Sequence, residues 1–468
     1  MRQLDDIRRI DFLGIGGIGM SALARYFQEK GVLVSGYDRT PSPLTRTLEA
    51  EGMAVRYEAT PVKDPDLVVY TPAIPASLPL MKVYQTAAVP MLKRSQVLGL
   101  ITREMYCITV GGTHGKTTVS AFIAHILRES GYGCNAFLGG ILVNYGTNFW
   151  SSSRPTAVVE ADEYDRSFLE LSPDVAVVTA MDPDHLDIYG TESAMQDAYV
   201  SYTNLIRPGG TLVYKYQLPR VAEMGGSRKI SYSLSAPAAN CHATDIRIVE
   251  GAYHFGIATP EGPLTDLSLT IGGLHNIENA VAASTVARGL GIPDEAIRAA
   301  VGSFRGTKRR FEYIIRNDRN VYIDDYAHHP EELRALLASA RDLFPDRPCT
   351  IIFQPHLFSR TRDLAEAFAG VLDAADEIIL LPVYPAREAP IPGVDSGLIA
   401  ARMKHPGVRL LTPEETLERI ARLRPALLIT AGAGDIDRMV DELGQILRDV
   451  EKKEEIPTAD QKEKHSQS

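Results

Sequence analysis

The sequence predicts an α/β protein with mostly parallel sheets, and three observations predict it. Short apolar runs alternate with helical patterns along nearly the whole chain, the order that buries parallel strands beneath crossover helices. Two glycine-rich loops each sit between a strand-like run and a helical pattern. The length of 468 residues suits roughly three domains of ~150 residues.

The elements follow in order. Asp11-Phe12-Leu13 leads into Gly14-Ile15-Gly16-Gly17-Ile18-Gly19, then a helix over residues 21–30, a strand over 32–37 ending at Asp38, and a strand over 67–70. A second unit opens with the apolar run Met105-Tyr106-Cys107-Ile108-Thr109-Val110, the loop Gly111-Gly112-Thr113-His114-Gly115-Lys116-Thr117-Thr118 and a helical pattern over 120–127. Within it, residues 240–270 read as short strands forming an antiparallel edge or insert. A third unit opens near Lys308-Arg309-Arg310-Phe311, with strands expected over 321–323, 350–353, 378–381 and 427–430. The expected domains are 1–103, 104–307 and 308–450, with 451–468 a disordered tail because it is charged and lacks periodicity.

Composition narrows the function. A net charge of −10 argues against a nucleic-acid binder, whose surface is normally basic. No run approaches the ~20 apolar residues of a membrane span, and the start of the chain lacks a signal-peptide core. Cys107, Cys134, Cys241 and Cys349 are widely spaced, as buried thiols of a reducing compartment are. These features point to a cytoplasmic protein.

The loop at 111–118 carries the sharpest chemistry. Strand, Gly-rich loop ending in Lys-Thr, and helix form a phosphate-binding P-loop: loop and helix-start N–H groups favour anions, Lys116 reaches the outer phosphates, and the Thr117 hydroxyl suits Mg²⁺. Val110 stands where the general pattern has glycine, so this loop is short and unlike that of an ordinary GTPase or motor ATPase. The first loop, Gly14-x-Gly16-x-x-Gly19 with Asp38 beyond it, suits any nucleotide diphosphate, whether NAD or a UDP-linked substrate. A second nucleotide loop favours one nucleotide as energy source and another as part of the substrate, whereas a hydride-transfer enzyme has no need of ATP.

Further candidates follow strand-like runs, where a parallel sheet lines its crevice. Glu160 of Glu160-Ala161-Asp162-Glu163 is expected as a Mg²⁺ ligand, with Asp162 and Glu163 read as a solvated acidic loop. His185 stands among Asp182, Asp184 and Asp187 as a metal ligand, a water-orienting group or a structural histidine. Asp325 and His328 either project into a site, or Asp324 or Asp325 caps the helix at Pro330. Arg360 suits a bidentate clamp on a carboxylate or phosphate, or a surface charge pair. Asn276 and Asn279, after His275, share a helix face that reads a base or ribose, or caps the helix.

Taken together, these segments resemble the Mur ligase family, in that family's order, from residue 10 to about 440. The matching stretches include Gly14–Ser21, Gly112–Thr118, Glu160–Asp165, Asp182–Asp187, His275–Asn279, Asp324–Pro330, Gln354–Arg362 and Gly432-Ala433-Gly434. The resemblance implies a Rossmann-like UDP-binding domain, a central ATPase domain and a Rossmann-like C-terminal domain. The implied reaction joins L-alanine to the carboxylate of UDP-N-acetylmuramate through an acyl phosphate, with ATP and Mg²⁺, in a monomer or homodimer. The alternative within the family is attachment of a recycled tripeptide to the same nucleotide sugar.

By the same resemblance, Gly16, Gly17, Gly19, Met20, Asp38 and Thr71 contact the UDP-substrate. Gly112, Thr113, His114, Gly115, Lys116, Thr117 and Thr118 hold ATP with His275, Asn276, Asn279, Arg310 and Asp325. Thr117, Glu160 and His185 hold Mg²⁺, and Tyr326, His328 and Arg360 shape the alanine site. The catalytic set is Lys116, Glu160, His185, Asp325, His328 and Arg360. The chain departs from the family at Leu357, commonly Arg, and at Ala180, often Asn.

Overall fold

The computed structural model describes residues 4–183, 186–386 and 388–454. Of the tail expected over 451–468, residues 451–454 instead continue the last helix, Val440–Glu454, and 455–468, like Asp184 and His185, lie outside the described residues. Compactness divides the chain into two units, the first holding nearly all of the chain up to Thr307 and the second running from Lys308.

The first unit begins with strands β1 (Arg9–Leu13), β2 (Leu33–Tyr37), β3 (Ala54–Arg56), β4 (Leu67–Tyr70) and β5 (Met91–Lys93), and helices α1 (Ile18–Glu29), α2 (Pro43–Ala50), α3 (Pro79–Thr86) and α4 (Arg94–Thr102). All strand pairs are parallel, in the order β3-β2-β1-β4-β5. Strand order reverses between β1 and β4, which opens a ligand crevice at their carboxyl ends. Helix α1 starts at Ile18, three residues before the expected start, because the glycine loop itself winds into the first turn.

The same unit continues through β6 (Tyr106–Gly111), α5 (Lys116–Glu129), β7 (Asn135–Leu142), β8 (Thr147–Trp150), β9 (Thr156–Glu160), β10 (Val175–Val178), α6 (Leu186–Tyr189), α7 (Glu192–Thr203), β11 (Thr211–Lys215), β12 (Arg228–Ser233), β13 (Cys241–Val249), β14 (Ala252–Ala258), β15 (Leu264–Leu269), α8 (Leu274–Gly289) and α9 (Asp294–Ser303). Its ten-stranded sheet has the order β15-β14-β13-β12-β11-β10-β6-β9-β7-β8. The expected antiparallel edge is real at β14–β15, but β13 joins β12 in parallel. Val110 is fully buried in β6, opposite Glu160 of β9, so the strand runs one residue past it and the loop starts later. Helix α5 begins at Lys116 rather than at Ser120, which puts the lysine in its first turn.

The second unit carries β16 (Glu312–Arg316), β17 (Val321–Asp325), α10 (Pro330–Leu343), β18 (Cys349–Phe353), α11 (Phe358–Leu372), β19 (Glu377–Leu380), α12 (Gly397–Ala400), β20 (Val408–Leu410), α13 (Pro413–Leu423), β21 (Leu427–Ala431) and α14 (Val440–Glu454). The four expected strands form the centre of its sheet, ordered β16-β17-β21-β18-β19-β20, and only β16 is antiparallel. The edges β16 and β20 escaped the sequence reading because each is half-exposed and lacks a continuous apolar run.

Among the described residues, no helix is long and apolar enough to cross a membrane. All four cysteines are buried free thiols, and burial pushes the Cys107, Cys134 and Cys349 thiols up to about 12.

Candidate functional site

The first glycine loop is built by close approach. Gly14 has φ +89°, and a Cβ there would lie 2.9 Å from the Thr71 methyl that closes β4. Gly16 N–H donates to Asp38 Oδ2 at 2.9 Å, so Asp38 holds the loop from beneath. Met20 is buried in the core, so its side chain is not offered to a ligand. No side chain caps α1, and its first N–H groups remain available to an anion.

In the P-loop, Gly112 has φ +138° and a Cβ there would lie 2.1 Å from Thr179 Oγ1. That hydroxyl lies against the His114 and Gly111 carbonyls from the end of β10. Thr113 N–H donates to the Ala180 carbonyl at 3.2 Å, a contact any residue at 180 supplies. Gly115, at φ +80°, caps α5, and a Cβ there would lie 3.1 Å from Asn279 Oδ1. Asn279 is buried and donates to Asn276 Oδ1 at 3.2 Å, which keeps both amides on one face of α8 beside the loop. His275 is exposed at the start of that helix.

Lys116 Nζ donates to the Gly112 carbonyl at 2.7 Å and to Glu163 Oε1 at 2.8 Å. Glu163 is 1% exposed, so the solvated-loop reading of it is wrong. A kinked turn after β9 folds it inward against the lysine. The sequence signal was its place in an acidic run beside a P-loop, and the two acidic neighbours obscured which carboxylate points in. Asp162 is 40% exposed and does face outward.

Thr117 Oγ1 donates to Glu160 Oε1 at 3.0 Å, and the other Glu160 oxygen accepts Gly139 N–H at 3.0 Å. A hydroxyl and a carboxylate side by side are hard oxygen donors suited to Mg²⁺, which takes few protein ligands and completes its shell with water and phosphate. Among the described residues no group of three or more His, Cys, Asp or Glu is arranged as a metal cage.

The glycine loop and the P-loop share one unit, and the helix that follows the glycine loop is braced against β8. Asn148 of β8, fully buried, donates to the Ile18 carbonyl at 2.7 Å and accepts from Arg25 Nη1 at 2.5 Å. Arg25 also grips Glu51 at 2.8 and 2.9 Å. Nothing in the local sequence pattern singled out Asn148.

The second unit holds a separate cluster at the carboxyl ends of β17 and β18. Asp325 accepts N–H bonds from Phe311 and Ala327, both at 2.7 Å, and burial pushes its carboxyl up to about 6. Neither Asp324 nor Asp325 caps α10. Glu332 does so by accepting His328 and His329 N–H, while Asp324 binds Arg309 and Thr430. Tyr326 is exposed and its ring lies 5.3 Å from that of His328. His328 meets His356 at 6.0 Å, and Arg360 Nη1 lies 3.4 Å from His356 Nδ1. His356 is pushed below the usual histidine range by burial, with Arg360 adding to it. His328 and Arg360 therefore flank His356, which is stacked on Tyr384, and Tyr326 lies against His328 on its outer side. Arg310 is exposed, whereas Arg309 is the one tied into the fold, through Asp324 and the Gly432 carbonyl. Leu357 sits at φ +70° at the start of α11, held by its N–H bond to the Tyr384 carbonyl.

Three family models match in chain order: "Mur ligase family, catalytic domain" over residues 9–106, "Mur ligase middle domain" over 110–287 and "Mur ligase, glutamate ligase domain" over 309–436. A UDP-N-acetylmuramate–L-alanine ligase of Phocaeicola vulgatus is 45% identical over 455 residues, 95% of this chain and 99% of that protein. One from Cytophaga hutchinsonii is 43% identical, over 94% of this chain and 97% of its own. Among solved structures, the UDP-N-acetylmuramate–alanine ligase of Thermotoga maritima matches with a TM-score of 0.78 and 25% identity, over 95% of this chain and 99% of that one. A murein peptide ligase of Psychrobacter arcticus shares the fold, with a TM-score of 0.63 and 22% identity over 93% and 99% of the two chains. Two glycine-rich strand–loop–helix turns, one of them a short P-loop, and full-length similarity lead to one assignment: the chain belongs to the Mur ligase family.

Proposed function

We infer that the chain joins L-alanine to the carboxylate of UDP-N-acetylmuramate, converting ATP to ADP and phosphate in peptidoglycan precursor synthesis. The observation that carries this is similarity to L-alanine ligases over 95% of the chain at 45% identity. Residues 1–103 are assigned to the UDP-substrate, 104–307 to ATP and 308–450 to the amino acid. The working protein is a cytoplasmic monomer or homodimer.

The chemistry runs in two displacements. A substrate carboxylate oxygen attacks the γ-phosphorus in line, the bond to ADP breaks, and ADP leaves with the electron pair. P-loop N–H groups and Lys116 hold the phosphates, with Asn276, Asn279 and His275 toward the base and ribose. Thr117 and Glu160 would hold Mg²⁺, which supplies charge neutralisation at the phosphates. His185, as the family resemblance implies, completes that side. The neutral amine of alanine then attacks the acyl carbon and phosphate departs. Tyr326, His328 and Arg360 are assigned to the alanine, and Arg310 and Asp325 to the nucleotide. His328 Nδ1 lies 3.0 Å from the Tyr326 carbonyl and so carries the proton, which leaves Nε2 as the base for the ammonium proton.

The test is phosphate release with UDP-N-acetylmuramate and Mg-ATP across L-alanine, L-serine, glycine and a peptidoglycan tripeptide. Alanine-dependent release is expected. Release only with the tripeptide would replace this reading by the recycling one.

A further inference from the structure

Lys116 is not simply a cation beside a loop. Its ammonium has three N–H donors. One goes to the Gly112 carbonyl at 2.7 Å and one to Glu163 Oε1 at 2.8 Å. A tetrahedral ammonium fixed at two corners has its third N–H direction determined.

Glu163 is held by several devices at once. The chain turns after β9 through Asp165 and Arg166, both non-glycine residues at φ +52° and +56°. Such left-handed conformations are strained for residues with a side chain and persist where the surroundings impose them. The Glu163 carbonyl accepts Arg166 N–H at 2.9 Å and the Tyr189 hydroxyl at 2.6 Å. On either side, Asp162 meets Arg94 at 3.4 Å and Asp165 meets Lys93 at 2.8 Å, both cations from the end of β5 and the start of α4. The side chain itself is 1% exposed, an expensive place for a carboxylate unless its partner is fixed.

We propose that Glu163 is a positioning residue for phosphoryl transfer: its carboxylate and the Gly112 carbonyl aim the third N–H of Lys116 at the transferring phosphate. The proposal rests on the reading that the P-loop binds ATP. Charge removal at Glu163 leaves the loop N–H groups to bind the nucleotide and frees the lysine to wander, so the loss falls on kcat rather than on ATP affinity.

The experiment compares wild type, Glu163→Gln and Lys116→Met, all as the full chain. Three quantities are read: kcat and KM for ATP, ADP affinity by titration calorimetry, and positional isotope exchange in ATP labelled with ¹⁸O at the β,γ bridge, with UDP-N-acetylmuramate and no alanine. Exchange reports reversible acyl phosphate formation and not the later amine attack. The expected result for Glu163→Gln is a 10–100-fold loss in kcat and the same loss in exchange, with ADP affinity within threefold of wild type. Unchanged kcat and exchange would overturn the proposal, as would a loss confined to nucleotide affinity. A wild type that shows neither exchange nor phosphate release would overturn the reading beneath it.

Discussion

Replacing Gly139 by alanine tests how tightly the Glu160 carboxylate is built into its place beside Thr117. A Cβ at 139 would lie 2.2 Å from Glu160 Oε2 and 2.5 Å from its Cδ, so the carboxylate must withdraw by about 1 Å to reach ordinary contact. Two hydrogen bonds go with it, from Gly139 N–H and from Thr117 Oγ1, each 3.0 Å. Bonds to an ionised acceptor contribute about 1.5–3 kcal/mol each, but Glu160 is only half-buried and turns toward water, so about 2 kcal/mol of stability is at risk. That corresponds to a Tm lower by about 4–8 °C. Activity loses more, because a misplacement of about 1 Å at a reacting centre costs about 10²-fold. Phosphate release across a Mg²⁺ titration, with a thermal melt in parallel, provides the assay. The expected variant is folded, needs several-fold more Mg²⁺ for half-maximal rate, and turns over about 100-fold more slowly. A kcat within threefold of wild type at ordinary Mg²⁺ would refute the reasoning.

Three other perturbations follow from the geometry. Gly112→Ala places a Cβ 2.1 Å from Thr179 Oγ1 and 2.7 Å from Ala180 N at φ +138°; about 3 kcal/mol or more should be lost, read as a lower urea midpoint, with ATP binding abolished. Asn148→Ala removes an acceptor from buried Arg25 and a donor from the Ile18 carbonyl; about 3 kcal/mol is expected by denaturant melt, and a loss below 1 kcal/mol would show the brace to be idle. Asp325 is raised from 3.8 to about 6, so the folded chain binds its proton more tightly than the unfolded chain does. Its contribution to stability is therefore complete below pH ~4 and lost as pH rises to ~6, a change of about 3 kcal/mol. Asp325→Asn should abolish that component of the pH slope between 4 and 6 in unfolding of the ligand-free chain, whatever fixed offset the amide introduces.

The loops were legible because their chemistry is local. A strand, glycines and Lys-Thr in series define a phosphate cradle whatever surrounds them, and β6, the loop and α5 stand in that order. Asn276 and Asn279 were legible by helical spacing. Glu163 was not, since its burial depends on a turn through two left-handed residues that no periodicity announces. Arg25 and Asn148 were illegible for a different reason: they lie 123 residues apart and become partners only once β8 packs beside α1. The alternative that Asp324 or Asp325 caps α10 fails because Glu332 reaches back across one turn, leaving Asp325 to the Phe311 and Ala327 N–H groups.

The brace between α1 and β8 gives the molecule a gauge. Asn148 sits on the hairpin whose other strand, β7, carries Gly139 against Glu160, while its amide holds the Ile18 carbonyl in the first turn after the glycine loop. The first turn of α1 and the carboxylate beside Thr117 are thus both referred to one hydrogen-bonded hairpin, which fixes the spacing between the two loops in the folded chain.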